Sequence, residues 1–225
     1  MTNPVRRHEM PFVRIELAVL GLADDALQVL LGRRTEAPHA GQWALPGGVL
    51  RIDQDPDLDA ACQRVAAERL GLTLRDATQL MAVGGRSRDP RAPWALSVVY
   101  RCTILPQALR ATPGKRLAAL KWVNASDTDD LAQLAFDHGQ LIDHAVKSLR
   151  ADVADLRFRS GLLPPTFTLG ELQRSAEVIL GRALDKSSFR RRLEAAGCVT
   201  PVEGELRTGA FRPAQLYRLR SDQPG

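Results

Sequence analysis

The uneven distribution of charge is the feature that most limits how this chain can fold. Residues 1–156 hold 19 basic and 19 acidic side chains, whereas residues 157–225 hold 12 basic and 7 acidic ones. The whole net charge of +5 therefore lies in the last third, which opens near the pair Pro164 and Pro165. A neutral body followed by a linker and a basic module predicts two domains, residues 1–156 and 157–225. Such a basic module is typical of nucleic-acid binding.

Composition narrows the class of protein further. The chain has 225 residues, of which 44% are hydrophobic, so each domain can bury a core. No run approaches the roughly 18 apolar residues of a membrane span, and the first residues lack a signal peptide's apolar core. Cys62, Cys102 and Cys198 match no metal-ligand spacing. We expect a cytoplasmic protein with buried thiols and no membrane partner.

The body shows an alternation of strands and helices. Apolar runs at residues 12–22 and 26–32 flank Asp24 and Asp25 and predict two strands joined by a tight turn. Further strands are predicted at 80–83, 96–104 and 117–123, and helices at 58–70 and 141–156. Residues 36–48 are rich in Pro and Gly and predict a long loop, a kind of segment that is often functional.

The last third has the pattern of a winged helix. Thr168 and Glu171 form a capping box that opens a helix ending at Gly181. Asp185 is a suitable N-cap for a second helix, residues 186–196, which Gly197 ends. Two short helices joined by a short turn are a helix-turn-helix pattern. Predicted strands at 198–202 and 216–219, around a polar loop at 203–213, complete the outline.

The second of these helices has the layout of a DNA-recognition helix. Phe189, Leu193 and Ala196 share one face by spacing, which turns the basic and hydroxyl residues outward. Arginine suits guanine edges and phosphates. The candidate DNA-binding residues are Lys186, Ser187, Ser188, Arg190 and Arg191 on the helix, and Arg207, Arg212 and Tyr217 around the polar loop. A basic helix docked on an acidic protein partner is the alternative interpretation.

Residues 41–48, GQWALPGG, and the helix after them resemble a Nudix box. In that pattern, Glu side chains at helix positions i, i+3 and i+4 share a face and hold Mg²⁺ against a diphosphate. Here Val65 and Arg69 stand at two of those positions, Gln54 stands at the upstream Glu position, and only Glu68 remains.

The replaced carboxylates argue against metal-dependent hydrolysis. We therefore assign no catalytic residue and no metal ligand, with Glu68 as a residual carboxylate, and expect no required cofactor. Our hypothesis is that the Arg69 charge stands partly where the metal would lie. The alternative is a Nudix hydrolase of ADP-ribose or another nucleoside diphosphate derivative, using Glu68 with Asp53 or Asp55 as Mg²⁺ ligands.

The chain as a whole resembles the bacterial Nudix-related transcriptional regulators, of which the best known control NAD metabolism. The resemblance rests on motifs in the same order at residues 41–48, 87–91, 136–138, 162–173, 184–192 and 212–217. Ser188 stands where that family often has Asn, so the operator sequence is left open. The resemblance implies an α+β protein: an α/β/α sandwich with a mixed sheet, plus a small C-terminal winged-helix domain.

The resemblance also implies partners and an effector. These are double-stranded operator DNA, a second copy of the chain in a homodimer, and ADP-ribose or a related sugar nucleotide. Ligand can shift DNA affinity only if it binds two arrangements of the dimer differently, so the body and its long helix from Asp137 onward are expected to reposition the basic module. The candidate ligand-binding residues are Arg33, Arg34, Trp43, Gly47, Gly48, Arg69, Asp89 and Arg91. For Trp43, stacking on a base and packing under the Gly-Gly turn are both open, and His138 is expected to dock as a polar group.

Overall fold

A mixed seven-stranded sheet forms the centre of the first domain. The computed structural model describes residues 10–105, 111–207 and 213–220. The strands are β1 (Phe12–Ala23), β2 (Ala26–Arg34), β3 (Trp43–Ala44), β4 (Gly47–Val49), β5 (Ala77–Gly85), β6 (Ala95–Thr103) and β7 (Leu117–Asn124). Strand β1 runs parallel to β6 and antiparallel to β2 and β4. The other pairs, β2 with β3 and β7 and β5 with β6, are antiparallel.

The predicted turn between β1 and β2 is confirmed. Asp24 and Asp25 have positive φ values of 51° and 55°. Two consecutive left-handed residues make a hairpin turn whose twist matches that of the flanking strands. Asp tolerates this conformation better than most side chains, which is why the pair marks the turn in the sequence.

Helices cover both faces of the sheet, so the predicted α/β/α sandwich is confirmed. Helix α1 (Leu58–Leu70) packs on one face, and α2 (Thr128–Ala132) precedes α3 (His138–Ala154) on the other. The predicted stripe of α3 is fully buried at Leu141, Ala145, Leu149 and Val153. A long apolar stripe that is buried along its whole length makes α3 a rigid part of the core.

The second domain is a winged helix that shares its core with the first. It contains β8 (Phe167–Thr168), α4 (Leu169–Leu180), α5 (Lys186–Ala196), β9 (Val199–Arg207) and β10 (Ala214–Leu219). The three strands pair in the order β8-β10-β9. Phe167, Leu172 and Phe189 belong to the same apolar cluster as the α3 stripe. The two domains therefore share one continuous apolar core.

Some predicted boundaries are wrong. Helix α3 ends at Ala154 rather than at Leu156, because Leu156 is left-handed. It begins at His138, where the motif at residues 136–138 places its opening, although its apolar spacing starts only at Leu141. Residues 203–207 of the predicted loop belong to β9, and Ala196 is exposed. The short elements β3, β4, α2 and β8 were too brief to give a periodic signal.

Two predictions from composition can be compared with the structure. Cys62, Cys102 and Cys198 are free and buried, as expected. Within the described residues, no helix combines the length and apolar character needed to cross a lipid bilayer.

Candidate functional site

The pair Gly47 and Gly48 forms the start of β4 rather than the expected turn, because both residues pair with β1. The pair is packed tightly between β1 and α1. A Cβ atom on Gly47 would lie 1.8 Å from Glu16 Oε2, and one on Gly48 would lie 2.8 Å from Val65 Cγ2. Arg69, at the end of α1, donates from Nε to the Gly47 carbonyl at 2.8 Å. Only glycine fits at Gly47 without displacing the buried carboxylate of Glu16. The two glycines therefore let β4 lie close to both β1 and Arg69.

Arginines make up five of the ten residues that line a small cavity beside this glycine pair. Its arginines are Arg14, Arg34, Arg69, Arg91 and Arg116, and we call it the arginine cavity. They come from β1, β2, α1, the loop before β6 and the segment before β7. The fold therefore gathers five permanent positive charges from five parts of the chain.

Three of these arginines have a carboxylate partner. Arg14 pairs with Glu16 at 2.6 Å, Arg91 with Asp89 at 2.5 Å and Arg116 with Glu36 at 3.2 Å. Glu16 and Asp89 are almost completely buried, at 1% and 2% exposure, so these ion pairs are fixed features of the site. They offset part of the positive charge of the cavity.

Within the described residues, the side chains of the other two arginines donate hydrogen bonds only to carbonyl groups. Arg34 donates from Nε to the Pro38 carbonyl at 2.9 Å, and Arg69 donates to the carbonyls of Gly47 and Lys115. Burial, followed by neighbouring guanidinium charges, lowers the pKa of both Arg34 and Arg69. An anion in the cavity would relieve this repulsion, and arginine's planar fork matches phosphate oxygens. The arginine cavity is thus suited to a phosphate or diphosphate group.

The site does not fit the Mg²⁺ ion of a Nudix hydrolase. Arg51 donates to both oxygens of Glu68, at 2.8 and 3.3 Å, and Arg64 lies 3.5 Å from the same carboxylate. Arg64 also holds both oxygens of Asp55, and Asp53 is exposed. Across the described ranges, no three His, Cys, Asp or Glu side chains converge as metal ligands. Arginine side chains hold both Asp55 and Glu68, and the nearby positive charge of Arg69 repels a cation.

His138 connects the neighbourhood of the cavity to α3. The Leu45 amide donates to His138 Nδ1 at 2.9 Å, and burial lowers the pKa of His138 to about 4. The imidazole is therefore neutral near pH 7 and carries its proton on Nε2, which lies 3.9 Å from Glu16 Oε1. The expectation that His138 docks as a polar group is confirmed.

Helix α5 exposes a basic face. Phe189 and Leu193 are buried, at 3% and 1% exposure. The predicted recognition residues face away from these two side chains. Exposed among them are Lys186, Ser187, Arg190 and Arg191, whereas Ser188 is half-buried. Asp185 caps the helix by accepting from the Ser188 amide at 2.8 Å. Local sequence thus sets both where α5 begins and which residues it presents.

The turn before α5 is also held in place. Glu177 of α4 accepts from the Leu184 amide at 2.8 Å and from Gln173 Nε2 at 3.0 Å. Because the same carboxylate binds the helix side chain and the turn backbone, the relative position of α4 and α5 is fixed. A rigid helix pair can present a recognition surface without first becoming ordered.

Two family models match consecutive parts of the chain. The NUDIX domain model matches residues 14–145, and the model described as NrtR DNA-binding winged helix domain matches residues 160–219. The ADPR responsive transcriptional repressor NtrR of Acinetobacter baylyi is 35% identical over 209 residues, covering 93% of this chain and 82% of that protein. The chain belongs to the NrtR family of Nudix-related transcriptional regulators.

Solved NrtR structures have the same architecture. Shewanella oneidensis NrtR complexed with a 27mer DNA matches with a TM-score of 0.78 and 33% identity, over 92% of this chain and 93% of that one. The NUDIX domain of the same NrtR complexed with ADP ribose matches with a TM-score of 0.57 and 30% identity, over 66% and 94%. The predicted fold and family are thereby confirmed. The domain boundary after residue 156 falls between the two matched regions and stays a prediction.

The structure brings together some of the predicted ligand residues of this NrtR-family chain. Arg34, Gly47, Arg69 and Arg91 line the arginine cavity, Asp89 lies beside it on Arg91, and Gly48 packs under α1. Arg33 and Trp43 do not line it. Neighbouring strand residues point to opposite faces, and Arg33 faces away from Arg34. Trp43 is the cross-strand partner of Arg33, so it shares that other face and lies under Lys121, 4.8 Å from its ring.

Sequence reasoning missed Arg14 and Arg116. Arg14 and Glu16 alternate with apolar residues inside β1 and are 6% and 1% exposed. Two charged residues in a strand that is otherwise apolar were an available signal, because buried charges are rare unless paired or functional. Arg116 had no comparable signal, since only the fold brings the segment before β7 to the cavity.

Two of the remaining candidate DNA-binding residues, Arg207 and Tyr217, lie on the strands β9 and β10. Arg207 pairs with Glu171 of the capping box at 2.5 Å, and Tyr217 is half-buried against the core. Arg212 lies outside the described residues. The roles of these three residues in DNA binding stay predictions.

Proposed function

We propose that this protein is a transcriptional repressor that binds operator DNA through α5. We further propose that it responds to ADP-ribose or a related sugar nucleotide. The observation that carries the proposal is the arginine cavity, in which Arg34 and Arg69 lack a carboxylate partner among the described residues. A diphosphate linking two sugars would supply the missing negative charge. The DNA-bound and ADP-ribose-bound NrtR structures and the Acinetobacter repressor support the two halves of this proposal.

Ligand binding in this account needs no metal. The charge of the guanidinium groups takes the place of Mg²⁺ on the diphosphate, while Arg51 and Arg64 occupy Glu68. This arrangement turns a hydrolase fold into a sensor, because the diphosphate is held where no carboxylate-bound metal activates water. Dimerisation and the control of NAD metabolism stay predictions.

The proposal is tested by substituting two neighbouring arginines on β2. Arg34→Gln removes a cavity charge, and we expect it to weaken ADP-ribose binding about 10- to 100-fold, the usual effect of losing a charged hydrogen bond. Arg33→Gln is the matched control, because Arg33 is exposed and points away, and we expect an unchanged Kd. Isothermal titration calorimetry in EDTA and again in Mg²⁺ measures both variants.

Equal losses in the two variants would contradict the assignment of the cavity. A wild-type Kd that depends on Mg²⁺, together with metal-dependent AMP release that Glu68→Gln abolishes, would favour the hydrolase instead.

A further inference from the structure

The first residues of α3 contact the wall of the arginine cavity. Leu45, which lines the cavity, donates its amide to His138 Nδ1 at 2.9 Å. Arg34 places its guanidinium carbon 5.2 Å from the centroid of the Phe136 ring, and that ring lies 5.2 Å from the His138 ring. Phe136 thus separates a ligand-facing arginine from the start of α3. A ligand that moves Arg34 or the Leu45 segment acts directly on this end of the helix.

The last turns of the same helix contact both helices of the winged-helix domain, α4 and α5. Arg150 donates from Nε to the Ile179 carbonyl, in the last turn of α4, at 2.9 Å. Arg192 of α5 donates from Nη2 to the carbonyl of Ala154, the last residue of α3, at 2.6 Å. The final carbonyls of a helix have no partner within it, so each contact fills a vacant acceptor at a helix end.

Helix α3 itself is a stiff connection between these two sets of contacts. Its 17 residues span roughly 25 Å at 1.5 Å per residue. Its buried stripe leaves little room for bending, because close-packed cores transmit displacement rather than absorb it.

We propose that α3 carries the effect of ligand binding from the arginine cavity to α4 and α5, and that Arg150 and Arg192 are the positioning residues at its far end. This inference rests on the proposed function. A ligand changes DNA affinity only if it binds one arrangement of the protein more tightly than another. The contacts at the two ends of α3 make the state of the cavity and the orientation of α5 interdependent.

The test is the coupling ratio, defined as the DNA Kd with saturating ADP-ribose divided by the DNA Kd without it. Arg150→Met keeps the aliphatic chain but removes the donor to Ile179. We expect it to bind ADP-ribose and operator DNA separately within about twofold of wild type, since Arg150 touches neither site. We expect its coupling ratio to move at least threefold toward one, measured by fluorescence anisotropy with calorimetry for ADP-ribose.

Arg174→Met is the matched control. Arg174 of α4 also bridges the domains, through an ion pair with Asp25 at 2.6 Å, but both side chains are mostly exposed and the pair bypasses α3. We expect the wild-type coupling ratio in this variant. A ratio unchanged in Arg150→Met, or reduced equally in both variants, would overturn the role of α3.

Failure of the proposed function and misfolding of the variant give results that differ from failure of the α3 inference. If wild type binds no ADP-ribose or no operator, the proposed function fails and the inference falls with it. If Arg150→Met loses its cooperative thermal unfolding, Arg150→Gln replaces it under the same criteria, because Gln is a good helix former too short to restore the contact with Ile179.

Discussion

Single residues decide between a catalytic and a sensing use of this fold. Val65 and Arg69 replace two metal-binding carboxylates, and Arg51 and Arg64 hold the one that remains. These residues therefore favour an anion over a cation at this site, which is the basis of the proposed function. This change is readable in the sequence at Arg69, whereas the partners of Glu68 become visible only in the structure.

The buried imidazole of His138 predicts a pH dependence of stability. Its pKa falls from 6.5 to about 4 in the folded protein, chiefly through burial. The unfolded chain therefore binds more protons between those values, so this contribution to stability is complete above pH 6.5 and is lost as the pH falls toward 4. The difference corresponds to about 3 kcal/mol in the free energy of unfolding.

Urea unfolding at pH 7 and pH 4.5 measures this contribution. In His138→Asn, where an amide oxygen can accept from Leu45, we expect the loss of stability on acidification to be smaller than in wild type. His144→Asn on the exposed side of α3 is the control and should keep the wild-type pH dependence. An undiminished pH dependence in His138→Asn would show that this imidazole is not the group responsible.

At this scale the sequence predicted part of the site. Gly47, Arg69 and Arg91 were identified from motifs and Arg34 from its place at the end of a strand, and all four line one cavity. Arg33 was chosen with Arg34 because sequence adjacency does not reveal which strand face reaches the cavity. Arg116 was missed because its place depends on the pairing of β7 with β2.

At the scale of elements, α5 is the part that we expect to read DNA. Arg190→Ala with Arg191→Ala should weaken specific operator binding by at least about 100-fold, because each arginine contact is worth roughly 1–3 kcal/mol. ADP-ribose affinity should not change, since neither residue approaches the arginine cavity. Anisotropy with a labelled duplex and calorimetry with ADP-ribose measure the two affinities.

A charge-matched control separates recognition from net charge. Lys147→Ala with Arg174→Ala removes two exposed positive charges outside α5. We expect near-normal operator binding in this variant. Equal weakening would mean that α5 acts only through overall charge, and loss of both DNA and ADP-ribose binding in the α5 variant would indicate unfolding.

Elements with local end signals were predicted with the right bounds. Helix α1 ends at the left-handed Gly71, α4 begins at a capping box, and α5 lies between Asp185 and Gly197. The start of α3 at His138 follows the motif at residues 136–138, although Asp137 makes no side-chain cap, whereas its C-terminal end was misplaced because it lacks glycine. The ends of that helix are set instead by contacts with distant parts of the chain.

At the scale of the whole molecule, the two domains share one apolar core. A single apolar cluster runs from β1 and β2 through α3 into α4 and α5. Charge distribution predicted the two domains, but it did not predict how they pack, because the contacts join residues far apart in sequence, such as Arg150 with Ile179 and Arg174 with Asp25. In the proposed coupling, this continuous core connects the arginine cavity to the DNA-binding domain.

The most direct test of this account is a titration of ADP-ribose into the full-length protein bound to a labelled duplex from upstream of its own gene. Fluorescence anisotropy is followed at near-physiological salt, with excess nonspecific competitor and EDTA. We predict specific binding whose Kd changes at least fivefold with ADP-ribose, and an Arg34→Gln variant that keeps DNA binding but loses the response. Specific binding indifferent to ADP-ribose, or equally responsive in Arg34→Gln, would contradict the claim that the arginine cavity controls the DNA-binding domain.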